Sequence, residues 1–309
     1  HIDISDNKFS GHADMMFAPS AVHANYSHNK ITSVFFRRFN AAYENLQFVD
    51  LSYNLIGQDV SEIFRNMPPN LVELILSDNA MRGTLPDPFP NLEYIRRLSI
   101  ANNDIHGPLP RFQRFTPRVR ELDLSNQGQT DIGGLTGRVT AGFSKLDDLL
   151  VLNLALNDLT SIPSDLGNLQ KLKVLNVSSN LLNQPIPPEL GKLAGVLTVL
   201  DLSQNKLHGS IPPMFANFED TSVHLSGNVD LLSHRAPLML CFRPKFDLVN
   251  NTEVCPLERN VLKEFYESAK GQEWTENYLW LDDFISHCSW HGIKCNEMNN
   301  TIELILTSN

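Results

Sequence analysis

Acidic side chains recur at one position in a series of short apolar segments. Asp50, Asp123 and Asp201 each lie between two apolar residues, and Glu73 begins a segment of the same kind. Carboxylates that share one surface raise its negative potential, which attracts Ca2+ or a basic partner. A solvated strand face without a ligand is the alternative, and this pattern favours it. The four residues are therefore candidates for contacts with a partner, and the sequence predicts no bound cofactor.

The carboxylates do not follow the pattern of a catalytic site. They fall at repeat spacing rather than as a convergent pair, and the chain has no nucleophile elbow, phosphate loop or metalloprotease helix. His287, Cys288, His291 and Cys295 are residue types that bind zinc, but their spacing matches no standard zinc module. We therefore predict that the protein is not an enzyme and holds no metal.

Short strands that return about every two dozen residues carry these side chains. Each strand alternates apolar and outward residues and ends on an asparagine, as in the segment Val49–Asn54. The asparagines are Asn7, Asn29, Asn54, Asn79, Asn103, Asn157, Asn180, Asn205, Asn228 and, at the end of the chain, Asn309, with Gln127 at the equivalent position between Asn103 and Asn157. This period predicts an α/β leucine-rich-repeat solenoid whose stacked strands form a parallel sheet on the concave face.

The asparagines have a structural explanation. An amide that turns inward after the strand satisfies backbone groups at a bend where no ladder partner exists. The interval from Gln127 to Asn157 is longer than the others and rich in glycine, so we predict an extra loop between Gln127 and Gly142.

Charge and hydropathy exclude several kinds of partner. The formal net charge of -10 offers no basic surface for nucleic acid. No apolar run is long enough to span a membrane, and no signal peptide opens the chain. The segment His1–Asn7 already reads as the strand of a repeat, and because solenoids need polar caps we expect residues to precede it.

The second half of several repeats makes the resemblance to a family specific. These segments carry a Gly-x-Ile-Pro-like pattern: Gly83–Pro86, Gly107–Pro110, Ser161–Pro163, Gln184–Pro187 and Gly209–Pro212. From Asn7 to Asn228 the chain resembles the plant-type extracellular leucine-rich repeats of receptor-kinase ectodomains, plant cell-wall inhibitor proteins and related algal surface proteins. The resemblance implies a right-handed twisted solenoid with a second small sheet or extended segment after each Asn turn.

The composition changes after Asn228, and all the tryptophans and cysteines follow it. A predicted amphipathic helix from Leu257 to Ala269, the tryptophans and the Cys288–Cys295 segment resemble the N-terminal cap of the same family. The cap motif implies a disulfide between Cys288 and Cys295, and Cys241 with Cys255 is the remaining pair. We therefore predict a solenoid over residues 1–240, a connecting segment and second cap over 241–300, and the first strand of a following solenoid over 301–309.

Four sequons agree with an extracellular, secreted protein that carries N-linked glycans. They begin at Asn25, Asn176, Asn250 and Asn299. Asn25 and Asn176 occupy the same outward position of their strands, where a glycan would cover part of the concave face. The sequence leaves open whether these two are modified.

Two functions are compatible with these features. In the first, tandem capped solenoids assemble, for example as copies joined head to tail, into a fibre, appendage or wall component at a cell surface. In the second, the concave sheet recognises a peptide, protein or glycan, as the resemblance to receptor ectodomains implies. The row that contains the acidic residues is poor in aromatic side chains, which dominate binding hot spots. The sequence therefore favours the assembly role slightly.

Overall fold

A computed structural model describes residues 1–14, 20–36, 45–65, 67–68, 70–87, 89–90, 92–110, 118–128, 133–232, 246–247, 265–267, 293–295 and 301–304. The strands in chain order are β1 (Ile2–Asp3), β2 (Ser10–Asp14), β3 (His23–Asn25), β4 (Lys30–Phe35), β5 (Phe48–Asp50), β6 (Glu73–Ile75), β7 (Arg82–Thr84), β8 (Arg97–Ser99), β9 (Asp104–Pro108), β10 (Glu121–Asp123), β11 (Leu135–Arg138), β12 (Val151–Asn153), β13 (Asp158–Ser161), β14 (Val174–Asn176), β15 (Val199–Asp201), β16 (His208–Ser210), β17 (Ser222–His224), β18 (Asp230–Leu232), β19 (Phe246–Asp247), β20 (Ile293–Cys295) and β21 (Thr301–Leu304).

The predicted parallel sheet is present and defines the solenoid. Its eleven strands lie in the order β1, β3, β5, β6, β8, β10, β12, β14, β15, β17 and β19. The strands are two or three residues long, and the middle residue of each three-residue repeat strand is buried in the core between the sheet and the opposite side of the coil. Leu74, Leu98, Leu122 and Leu152 are equivalent positions of four successive strands and are fully buried. The alternation of buried and outward residues is what the strand period requires.

The main sheet has one further strand after residue 240. Strand β19 pairs in parallel with β17, through Val223 with Phe246 and His224 with Asp247. The sheet therefore continues beyond the predicted end of the solenoid at residue 240. The sequence does carry the signal for this strand, because Asn251 stands four residues after Asp247 as Asn228 stands four residues after His224, although the predicted asparagine series stops at Asn228.

A second set of short sheets lies after the Asn turns, as the family resemblance implied. One sheet has the order β13, β11, β9 and β7, and the pairs β16–β18 and β2–β4 form two others. The predicted loop between Gln127 and Gly142 is only partly a loop. Strand β11 pairs with β9 and β13, so the extra residues are confined to the segment between Gln127 and Leu135.

The convex side is made of short helical turns. One α-helix, α1 (Val60–Phe64), begins at Asp59, whose carboxylate accepts a hydrogen bond from the backbone N–H of Ser61. Later repeats have 3-10 helices at Ala141–Lys145, Ser164–Asn168, Pro188–Leu193 and Pro213–Asn217. A Cβ atom on Gly167 would lie 2.2 Å from the carbonyl oxygen of Glu189, so only glycine allows these turns to stack this closely.

The asparagine series holds the bends together. Asn54 is buried, and its Nδ2 donates to the carbonyl oxygens of Tyr26 (3.0 Å), Leu51 (3.1 Å) and Ser52 (3.1 Å). Its Oδ1 accepts from the backbone N–H of Ile31 at 3.0 Å. Equivalent bonds involve Asn29, Asn79, Asn103, Gln127, Asn157, Asn180, Asn205 and Asn228. Asn7 is exposed and its side chain donates within its own turn, to Ile4 and Ser5, and Asn309 lies outside the described residues.

The predicted second cap lies largely outside the described residues. Phe265–Glu267 are helical, within the helix that the sequence predicts. Strand β20 pairs with β21 in antiparallel fashion, unlike the parallel repeat strands. The side chains of Cys241, Cys255, Cys288 and Cys295, the tryptophans and the sequons at Asn250 and Asn299 are not described, so the two disulfides and these sequons stay predictions. Among the described residues, no helix has the length and apolar character needed to cross a bilayer.

Candidate binding surface on the concave face

Strand register aligns three rows of side chains along the concave sheet. The first residues of the strands form row one: His23, Phe48, Glu73, Arg97, Glu121, Val151, Val174, Val199 and Ser222. The third residues form row two: Asp3, Asn25, Asp50, Ile75, Ser99, Asp123, Asn153, Asn176, Asp201 and His224. The residues just before each Asn of the repeat form row three at the bend: Asp6, His28, Tyr53, Asp78, Asn102, Asn126, Leu156, Ser179, Gln204 and Gly227.

Row three has an unusual backbone at every repeat. Its non-glycine members all have positive φ, for example 53° at Tyr53 and 56° at Leu156. This left-handed conformation is costly for bulky side chains and is tolerated best by Gly, Asn and Asp. The repeat fold therefore fixes the direction of each row-three side chain through its backbone.

The acidic residues of row two end their strands. The Oδ1 atom of Asp50 accepts from both the backbone N–H (2.9 Å) and the Oγ–H (2.6 Å) of Ser52. Asp123 and Asp201 make the same pair of bonds with the serine two residues later. In Asp3 the hydrogen bonds from Ser5 lower the pKa of the carboxyl. These bonds give the row-two carboxylates a local structural role, and the described residues contain no group of three or more potential metal ligands.

The two concave sequons share this geometry. The Oδ1 atom of Asn25 accepts from the backbone N–H (3.1 Å) and the Oγ–H (2.8 Å) of Ser27. Asn176 bonds in the same way to Ser178, at 3.0 and 2.8 Å. Both side chains are half-buried in row two. A glycan on either would therefore stand on the concave face itself.

Aromatic rings gather at the N-terminal end of rows one and three. The rings of His23 and Phe48 lie 5.7 Å apart in row one, and those of His28 and Tyr53 stack at 4.4 Å and 11° in row three. Tyr53 is 53% exposed, while the Nδ1 atom of His23 is buried without a hydrogen-bond partner. We call these four residues the aromatic patch. The contact residues predicted from the sequence do not include this patch, although the repeat spacing places its residues in the rows beside row two.

The centre of the concave face carries paired charges. The guanidinium of Arg97 lies 3.0 Å from the Glu73 carboxylate and 3.1 Å from that of Glu121. Beside this group in row three, the Nδ2 of Asn102 donates to Asp78 at 2.8 Å. Glu73, a predicted contact residue, is therefore paired with Arg97, which it shares with Glu121. Because Arg97 is about half exposed, these ion pairs order the surface more than they stabilise the fold.

Row one is aliphatic in the C-terminal part of the concave face. Val151, Val174 and Val199 follow one another in row one and are half-buried. Leu156 lies in row three beside them and is 51% exposed. Row one thus changes from aromatic, through charged, to aliphatic along the solenoid.

Comparisons with known proteins agree with this architecture. The Leucine Rich Repeat family model matches residues 70–92, 171–193 and 196–218. Receptor-like protein 41 of Arabidopsis thaliana is 34% identical over 161 residues, which cover 52% of this chain and 18% of that protein. Receptor-like protein kinase BRI1-like 3 of the same plant is 30% identical over 210 residues, covering 56% of this chain and 17% of that protein. The matched region thus spans about a fifth of the length of these relatives.

Solved structures show the same solenoid. The ectodomain of the Arabidopsis receptor kinase HAESA, in complex with an IDA peptide hormone ligand, is 28% identical with a TM-score of 0.58, and the match covers 77% of this chain and 42% of that one. The PEPR1–AtPEP1 structure is 22% identical with a TM-score of 0.56, covers 78% of this chain and 39% of that one, and shows the fold alone.

Proposed function

We propose that this chain is an extracellular recognition domain that binds an extended peptide on its concave face. The chain carries leucine-rich repeats and is homologous to the receptor-like proteins of Arabidopsis thaliana. The domain acts by binding rather than by catalysis. The observation that carries the proposal is the aromatic patch within an otherwise polar sheet. The peptide complex of the HAESA ectodomain supports a peptide as the ligand class.

The dimensions of the sheet suit a peptide. Ten successive strands from β1 to β17, at about 4.8 Å per strand, give a face about 43 Å long. An extended peptide of about 12 residues covers this distance at about 3.4 Å per residue. Such a peptide would cross the strands and meet the aromatic, polar and aliphatic parts in turn.

The aromatic patch supplies the anchoring contacts. Stacking of His28 on Tyr53 and the positive φ of both residues limit their freedom before any ligand arrives. Large side chains that are already ordered give contact area at low entropic cost, which is why Tyr is frequent in binding hot spots. The unpartnered Nδ1 atom of His23 adds a polar group whose hydrogen bond a ligand can supply.

The comparisons favour this role over assembly into a fibre. The similar HAESA ectodomain is seen in complex with a peptide hormone. The sequence analysis favoured assembly because row two lacks aromatic residues. Rows one and three supply the aromatic surface that row two lacks.

A peptide library tests the proposal. We would select binders from random 12-residue peptides displayed on phage, using the whole chain as bait, and measure their affinity for Tyr53→Asn. Asparagine tolerates the positive φ, so the variant removes the ring and keeps the backbone. The matched control is Tyr94→Asn, because Tyr94 is 41% exposed and lies outside the three rows. We expect at least about tenfold weaker binding to Tyr53→Asn, which corresponds to about 1.4 kcal/mol, and less than twofold change in the control.

Two results would overturn the proposal. If the selection enriches no peptide that binds the chain, the proposed peptide-binding function is wrong. If the enriched peptides bind Tyr53→Asn with the same affinity as Tyr94→Asn and the unmodified chain, the binding site lies outside the aromatic patch.

A further inference from the structure

The second set of sheets is interrupted next to β13, and a groove opens there. The sheet that contains β7, β9, β11 and β13 ends at β13, and the next pair begins at β16. In the repeat between them Pro185 stands where a strand would continue, and proline has no N–H for a sheet. Only a single bridge joins Pro185 to His208.

The side chain of Gln184 replaces part of the missing strand. Its Oε1 accepts from the backbone N–H of Ile162 at 3.2 Å, and its Nε2 donates to the carbonyl oxygen of Ile162 at 3.0 Å. The backbone N–H of Asn183 donates to Thr160 at 3.1 Å. The interruption is therefore an ordered feature whose backbone groups are satisfied, and it leaves a depression instead of a continuous sheet.

The depression has the size of a ligand site. It holds a volume of about 700 Å³, which lies within the range of about 300–1,000 Å³ found for ligand pockets. Ile162 and the exposed side chain of Leu181 contribute apolar surface, and Asn183 contributes a side-chain amide. The groove crosses four successive repeats, from Arg138 to Lys206.

The charge of the groove is opposite to that of the protein. Arg138 and Lys206 are both exposed, and neither makes an ion pair within the described part of the chain. None of the residues that line the groove is acidic, although the chain has a net charge of -10. Two unpaired cations at opposite ends of a depression attract an anionic group at each end.

We propose that this groove is a second binding site, separate from the concave face, for an extended peptide segment that carries two acidic side chains about four residues apart. Arg138 and Lys206 lie three repeats apart, which separates their backbones by at least about 14 Å at about 4.8 Å per repeat. Four extended residues span about the same distance. The apolar groove residues between Arg138 and Lys206 contact the peptide side chains that lie between the two acidic ones.

A peptide fits the groove better than an acidic sugar. Carbohydrate sites use aromatic rings for stacking against sugar faces, and no aromatic residue lines this groove. The amide of Asn183 and the aliphatic surface of Leu181 suit a peptide backbone and small apolar side chains.

The experiment uses the whole chain and two pentapeptide libraries, Glu-X-X-X-Glu and Gln-X-X-X-Gln, with the middle positions varied. Affinity is measured by fluorescence anisotropy at low and moderate salt. The test variants are the double substitution Arg138→Gln with Lys206→Gln, and Leu181→Asp, which places a negative charge in the groove. Their controls are Lys145→Gln with Lys192→Gln, two exposed cations of the convex side, and Leu55→Asp, which changes an exposed leucine at the same repeat position outside the groove.

The proposal expects the best Glu library peptides to bind at least tenfold more tightly than their Gln counterparts. The affinity of both groove variants for these peptides falls at least tenfold. The affinity of both controls and of Tyr53→Asn changes less than twofold. The proposal is overturned if the control pairs lose as much as the groove variants, because the attraction is then general. It is also overturned if a uronic-acid tetramer binds this groove while the Glu library does not. Failure of concave-face binding leaves this result unaffected, since the two sites share no residue.

Discussion

Replacing Asn103 by alanine tests how much the buried asparagine series contributes to stability. The side chain is 1% exposed, and its Oδ1 accepts from the backbone N–H of Met81 at 3.0 Å. Its Nδ2 donates to the carbonyl oxygens of Leu76, Ile100 and Ala101 at 3.0–3.1 Å. Each of these oxygens keeps a second donor, so the substitution leaves one buried group without a partner, the N–H of Met81.

The expected cost follows from that group. A buried donor without an acceptor costs about 1–3 kcal/mol, and loss of the donated bonds adds about 1 kcal/mol. We therefore expect Asn103→Ala to lower the free energy of unfolding by about 2–4 kcal/mol. Asn7→Ala is the matched control, because Asn7 occupies the same repeat position but is exposed, and its side chain donates within its own turn. Its substitution should cost less than about 1 kcal/mol, since water replaces the lost partners.

Urea unfolding followed by circular dichroism measures both variants. The slope of the transition must stay unchanged for the comparison to report stability alone. Equal losses for Asn103→Ala and Asn7→Ala would refute the reasoning, because burial of the amide would then make no difference. A loss in Asn103→Ala below about 1 kcal/mol would mean that water or a backbone shift satisfies the Met81 N–H.

Three further predictions concern other parts of the molecule. Gly167→Ala places a Cβ atom 2.2 Å from a backbone oxygen of the next 3-10 turn and should destabilise the chain by about 1–3 kcal/mol in urea unfolding. The control is Gly57→Ala, whose Cβ would have its nearest neighbour at 3.7 Å, and it should change stability by less than about 0.5 kcal/mol. The hydrogen bond from Lys171 lowers the pKa of Asp148. This ion pair therefore stabilises the fold above the ordinary carboxyl pKa, and its contribution is lost as pH falls through the lowered pKa of Asp148. Lys171→Gln should raise the pKa of Asp148 in an NMR titration, and an unchanged pKa contradicts this cause. Glycopeptide mapping of native protein should find Asn25 unmodified, because a glycan there would cover the aromatic patch, and an occupied site argues against concave peptide binding.

The repeat fold could be predicted because each repeat contains the local sequence signals that specify its strand and its bend. Alternating apolar residues such as Leu200 and Leu202 require a strand with one buried face, and the asparagine three residues later marks the bend. These are local signals, and they recur often enough to fix period, strand position and parallel stacking together. The last strand of the sheet carries the same local signal, since Phe246, Leu248 and Asn251 repeat the pattern of Val223, Leu225 and Asn228.

The candidate sites depend on contacts between repeats. The sequence alone determined which residues point outward on each strand, because that follows from the two-residue period of a strand. Only the tertiary structure decided that Tyr53 stacks on His28, that Arg97 pairs with Glu73, and that the Gln184 side chain bonds to Ile162 where a strand is missing. Those partners lie in different repeats, about two dozen residues apart in the chain. Their side chains meet through the register and stacking of the whole solenoid, which no single repeat encodes.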